Sequence, residues 1–160
     1  MASGVTLAKA VKAAVTLTGV GVENDTVQIG GIIYTFNATP GAAYSVDIKT
    51  DATTQAAALV SAINLDGTAG AYFATGTAAH PHVTAVNSGG AITLTAKVAG
   101  DWAQAIALVD GMTNGTVGGA SFDDITTGTD GAGNLSTWIA AILANNQLNS
   151  DTIKDLKELD

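Results

Sequence analysis

Two pairs of adjacent glycines restrict the fold of this chain more than any other feature. Each pair lies between two short runs of β-forming residues: 26–29 and 32–36 flank Gly30-Gly31, and 82–86 and 91–96 flank Gly89-Gly90. Alternating apolar and polar residues put one face of a strand into a core. Glycine readily adopts the positive φ angles of a tight turn. The sequence therefore predicts two β-hairpins.

One helix is predicted within this strand-rich region, over residues 53–64. Its apolar residues recur with helical spacing, at Ala56, Leu59, Val60 and Ile63. Thr53 or Asp51 is a suitable N-cap, and Asp66-Gly67 is a suitable end.

Further strands are predicted at residues 15–18, 44–48 and 105–109, and residues 110–133 are predicted to form long turns with short edge pairing. Together these elements indicate a mainly β, α+β fold. We expect an antiparallel β-sandwich-like domain with one packed helix.

The last 27 residues have a different composition and are predicted to be helical. Apolar residues recur at helical spacing along residues 134–143, and a second short helix is predicted from Ser150 or Asp151. The apolar positions predicted to form an interface are Leu135, Trp138, Ile139, Ile142, Leu143, Ile153 and Leu156. They would cover either their own β-domain or a neighbouring subunit. The chain thus divides into an N-terminal arm (1–14), a β-rich domain (15–131) and a C-terminal helical arm (132–160).

The charge content excludes several classes of function. Charged residues are only 12% of the chain, the net charge is −8, and all six basic residues are lysines. This balance argues against binding to nucleic acid or to anionic membranes. Cysteine is absent, which excludes disulfides and thiolate chemistry. So few charges indicate a surface that is partly covered by other subunits.

Three features are candidate sites of chemistry. His80 and His82 flank Pro81 and would either bind a metal or form hydrogen bonds at the start of a strand. Asp123, Asp124 and Asp130 would either bind a cation or form a turn. Trp102 would be either a recognition residue or a lid over the core. No nucleophile, base or phosphate-binding motif accompanies them, so we expect neither an enzyme nor a cofactor.

The middle of the chain resembles a module of tailed-bacteriophage virion proteins, found in tail fibres, baseplates and head-decoration proteins. The resemblance is carried by residues 25–36, 57–64, 72–77, 80–85 and 92–97 and covers roughly residues 15–131. It ends near Asp130-Gly131, at a point where related modules often have a Gly-Gly-x-Asp-Gly sequence. Many related modules continue with strands, whereas this chain continues with the predicted helical arm.

The resemblance implies a structural protein located in the virion and made in the host cytoplasm. We expect a capsid decoration (cement) subunit whose partners are copies of itself, for example in a trimer, and phage major capsid or tail proteins. Two alternatives stay open. One is a tail component, in the baseplate, at the fibre base or on the tube. The other is a carbohydrate- or receptor-binding module that uses Trp102 and the Gly-, Thr- and Asp-rich loops.

Overall fold

The computed structural model describes residues 11–98 and 101–122, with Asp101 and Trp102 described by their backbone. All of these residues belong to one compact unit. In chain order the elements are β1 (Lys12–Leu17), β2 (Thr26–Ile29), β3 (Ile32–Asn37), β4 (Ser45–Asp47), α1 (Ala52–Asn64), β5 (Val83–Ser88), β6 (Ala91–Ala96), a 3₁₀ helix (Asp101–Ala105), β7 (Leu108–Gly111) and β8 (Gly115–Val117).

The strands form two four-stranded sheets, as the predicted sandwich-like α+β fold requires. Sheet A has the order β5-β6-β1-β8, and sheet B has the order β4-β3-β2-β7. Every pair is antiparallel except β3 with β4, which are parallel. The exception arises because loop 38–44 doubles back beside β3, where the Thr35 N–H donates to the Tyr44 carbonyl. The predicted fold class is confirmed, with this one parallel pair added.

Both predicted hairpins are present. In the β2–β3 hairpin Gly30 has a φ of 58°, and in the β5–β6 hairpin Gly89 has a φ of 61°. Gly90 is required for a second reason, because a Cβ atom there would lie 2.3 Å from the carbonyl oxygen of Leu17. The same approach lets the Leu17 N–H donate to the Gly90 carbonyl at 2.9 Å, which fixes the hairpin against the end of β1.

The predicted helix is confirmed to within one residue. Its buried residues cover more of the helix surface than the single apolar stripe predicted from the sequence. Asp51 is the N-cap, because its side chain accepts from the Thr54 N–H, and Leu65 ends the helix with a φ of 58° in place of Asp66-Gly67. The helix packs mainly on β5 and also touches β4, β1 and β6, so it contacts strands of both sheets. Its buried residues are Gln55, Ala56, Ala58, Leu59, Val60, Ala62 and Ile63.

Three strand predictions need correction. β1 starts at Lys12 instead of Val15, because Lys12 pairs with Thr95 on β6. β4 is shorter than predicted, because Tyr44 has a φ of 66° and cannot continue a strand. The strand predicted at 105–109 is replaced by the end of the 3₁₀ helix followed by β7, and an Ile106-to-Ala103 backbone bond closes that turn. Residues 110–122 do contain a short edge strand, β8.

A fully buried glutamine joins the helix to two other chain segments. Gln55 Oε1 accepts from the Gly21 N–H at 3.2 Å and from the Lys49 N–H at 2.9 Å, and its Nε2 donates to the Asp47 carbonyl at 3.1 Å. One side chain thus satisfies backbone groups of the β1–β2 loop and of the chain after β4. Buried polar groups are stabilising only when they are paired in this way.

Replacing Gln55 by leucine should destabilise the fold strongly. The substitution leaves two N–H groups and one carbonyl without their partner, so we expect the free energy of unfolding to fall by about 2–4 kcal/mol in urea titrations. The control is Gln28→Leu, since Gln28 makes one half-buried bond to Gly30 and should lose less than about 1 kcal/mol. Equal losses in the two variants would contradict the role of Gln55.

Candidate functional site

The outer face of sheet A is a broad surface with almost no charge. The pairing registers place its outward side chains in three rows that cross β5, β6 and β1, and the row that contains Thr16 continues to Thr116 on β8. They are Lys12, Ala14, Thr16, Thr84, Val86, Ser88, Ala91, Thr93, Thr95 and Thr116. Lys12 is the one ionisable residue among these ten, and Val86 is 65% exposed. Small β-branched residues keep this face flat, which suits it to contact another flat surface.

Sheet B has a similar outer face on its strands β2, β3 and β7. Gln28 pairs with Ile33 on one side and with Val109 on the other, so the three side chains form one row. Ile33 and Val109 are 52% and 51% exposed. Thr26 and Thr35 form the next row. The outer face of sheet A therefore carries one charged side chain, and the rows on β2, β3 and β7 of sheet B carry none, while Asp47 on β4 lies on the same side of sheet B as Asn37. Single exposed apolar residues would be ordinary, but rows with so few charges are not.

The sequence analysis predicts an interface in a different part of the chain. The predicted interface residues Leu135, Trp138, Ile139, Ile142, Leu143, Ile153 and Leu156 lie outside the residues that the structure describes. The uncharged sheet faces were not predicted. Their signal was present in the hairpin sequences, because the polar positions of β5 and β6 are threonine, asparagine and serine and include no acidic or basic residue.

The predicted histidine pair forms hydrogen bonds at the start of β5. His80 is 2% exposed, its Nε2 lies 3.1 Å from the Ile29 carbonyl, and its Nδ1 accepts from the His82 N–H at 3.2 Å. Because Nδ1 accepts, the proton sits on Nε2 and is donated to Ile29. Both ring nitrogens are thereby engaged with backbone groups. The arrangement matches the strand-start alternative, with His80 linking the β2–β3 turn to β5.

The other predicted sites lie wholly or partly outside the described residues. Asp123, Asp124 and Asp130 lie outside the described residues, and the side chain of Trp102 does as well. Within residues 11–98 and 101–122, no three His, Asp or Glu side chains come together as metal ligands would. In that same part of the chain no helix has the length and apolar character needed to cross a membrane.

The chain matches no family model, no curated protein and no solved structure. The resemblance to phage virion modules therefore stays a prediction.

The buried His80 should make stability depend on pH. Burial lowers the pKa of His80 below its ordinary value of 6.5, and the nearby His82 and Lys97 lower it further, although the bond to Ile29 opposes the shift. Below pH 6.5 the unfolded chain therefore binds a proton that the folded protein resists. We expect the free energy of unfolding to decrease as the pH falls from 6.5 to the lower folded pKa, and His80 to add no further change below it.

His80→Gln separates this contribution from the other titrating groups. Glutamine retains an N–H donor near the Nε2 position and does not titrate, so the variant should be less stable at neutral pH but less sensitive to acid. His82→Gln removes one of the smaller causes of the lowered pKa of His80, so it should reduce the acid sensitivity less than His80→Gln does. Urea titrations at several pH values measure both. An unchanged pH slope in His80→Gln would show that other groups cause the acid sensitivity.

Proposed function

We propose that this protein is a structural subunit of a bacteriophage virion, a capsid decoration (cement) protein that works by burying uncharged sheet faces against neighbouring copies. The observation that carries the proposal is the outer face of sheet A, with one ionisable residue among ten outward positions. The phage assignment itself derives from the sequence resemblance over residues 15–131.

The chemistry of the face favours association over solvation. Valine and alanine gain on leaving water, and threonine and serine lose about 1–3 kcal/mol only where their hydroxyls stay unpaired, whereas ionised groups lose several kcal/mol unless they are paired. Lys12 is the exception on this face. A neighbouring copy can pair it, because the chain contains 14 acidic residues against six basic ones. This excess of carboxylates makes a second copy a suitable partner for the face.

The size of the face argues for more than one contact per subunit. Three strands of six residues and one of three, about 4.8 Å apart with a rise of about 3.3 Å per residue, cover about 330 Å². A stable protein interface buries about 800 Å² on each partner. One face is therefore too small alone, so a second surface must contribute. The outer face of sheet B and the predicted C-terminal interface residues are the candidates. Contacts through several surfaces are what a protein that reinforces a shell needs.

Placing a carboxylate at the centre of the face should abolish self-association. In Thr93→Glu, association would bury an unpaired charge, and we expect the association constant to fall at least tenfold. Light scattering across a range of concentrations measures the oligomer. Thr53→Glu adds the same charge at an exposed position in the first turn of α1, where it should leave association unchanged. A wild type that stays monomeric, or a Thr93→Glu variant that associates normally, would contradict the proposal.

Two alternatives are distinguished by other measurements. A tail component, in the baseplate, at the fibre base or on the tube, would use the same adhesive chemistry. Antibody labelling of particles separates it from a head protein. A carbohydrate- or receptor-binding module that uses Trp102 is the second alternative, and in that case Trp102→Ala should weaken glycan or cell binding while incorporation into the virion stays intact.

A further inference from the structure

Lys12 is a cation on the outer face of sheet A that forms no ion pair within the part of the chain that the structure describes. The other two lysines of that part are engaged, Lys49 in an ion pair and Lys97 in a bond to a backbone carbonyl. Lys12 lies in an end row of sheet A, beside Thr95. The outward positions of this sheet include no carboxylate. A contact between two sheet A faces would therefore offer Lys12 no acidic partner.

Glu23 places a carboxylate at one end of the outer face of sheet B. Its Oε1 accepts from Asn37 Nδ2 at 3.2 Å and its Oε2 accepts from the Ala38 N–H at 2.7 Å, so the side chain is fixed beside the outward Asn37. Asn37 pairs with Asp47, which forms a 2.6 Å ion pair with Lys49. The ionised groups at this corner thus carry a net charge of about −1 at neutral pH. A carboxylate has about four lone-pair sites, so Glu23 can also accept from an ammonium group.

We propose that the outer face of sheet A in one copy packs on the outer face of sheet B in the next copy, where Lys12 pairs with Glu23 across the contact. The inward side chains of both sheets belong to one hydrophobic core, so the two outer faces lie on opposite sides of the molecule. Each copy then uses both faces, one toward each neighbour. This inference rests on the proposed self-association and adds which two surfaces meet.

The rows of the two faces fit this arrangement. Each face has three rows of outward side chains about 6.6 Å apart, because successive outward residues are two positions apart on a strand. The Lys12 row and the Asn37 row each lie at an end of their face. When these rows meet, the opposite end rows meet too, and the exposed Ile33 and Val109 of sheet B lie over the small Ala91 of sheet A. One register thus pairs the charges and buries exposed apolar surface.

Contact between unlike faces also determines how the assembly grows. Two copies joined in this way leave one sheet A face and one sheet B face free, so a third copy can bind at either end. A head-to-tail contact of this kind closes into a ring or continues as a filament. A contact between two like faces is instead complete in a dimer. The proposal therefore requires association beyond the dimer.

Charge reversal at each end of the Lys12–Glu23 pair is the test. Full-length Lys12→Glu and Glu23→Lys should each associate about fivefold more weakly than the wild type, because like charges then face each other across the contact. An equimolar mixture of the two variants should recover association to within about twofold of the wild type, since every contact in an alternating row joins opposite charges. Sedimentation over a range of concentrations measures the association constants, at an ionic strength of about 0.15 M.

Glu23→Gln and Asp110→Asn are a matched pair of variants. Both remove one negative charge and retain an acceptor oxygen, but Asp110 pairs with the inward Val27 and does not belong to the outer rows. Glu23→Gln should weaken association, and Asp110→Asn should leave it unchanged. A wild type that stays monomeric would refute the proposed self-association and this inference with it. Association that stops at a dimer, that is insensitive to Glu23→Lys, or that is not restored in the mixture would overturn the contact between unlike faces alone.

Discussion

The helix is held in the fold by the buried amide of Gln55, and much of the architecture depends on that connection. The amide bonds to the backbone of Gly21, Asp47 and Lys49, which belong to two segments far apart in sequence. At the other end of the helix, Asn64 bonds to both backbone groups of Ala85 on β5. The start of the helix is thus bonded to the loop before β2 and to the chain at the end of β4. The end of the helix is bonded to β5 of sheet A.

The Asn64 contact also affects how the molecule meets its neighbours. β5 lies at the edge of sheet A, and an exposed strand edge invites pairing with another chain. Asn64 occupies the backbone groups of Ala85 on that edge, and Phe73 pairs with Val46 on the edge of β4. These contacts hinder a second chain from pairing along β5 and β4, while β8 and β7 form the other edges of the two sheets.

The outer sheet faces and the cleft beside Tyr72 differ in chemistry. The sheet faces are flat and nearly uncharged, which suits a large, flat protein partner. The cleft contains the Asp47–Lys49 ion pair, and the ammonium group of Lys49 lies over the Tyr72 ring. The cleft adjoins sheet B, because Asp47 is the last residue of β4.

The sequence alone determined the local elements. Glycine pairs at 30–31 and 89–90 defined the hairpins, and the apolar spacing with Asp51 defined the helix, because turn geometry, helical periodicity and capping are set by residues close in the chain. Only the tertiary structure decided the parallel β3–β4 pair, the earlier start of β1 and the ring contacts of His80. It also brought Asp47, Lys49 and Tyr72 into one cleft and showed that the outward rows of sheet A are nearly free of charge. Each of these depends on which distant segments pair, and that is fixed by packing between strands that no local pattern encodes.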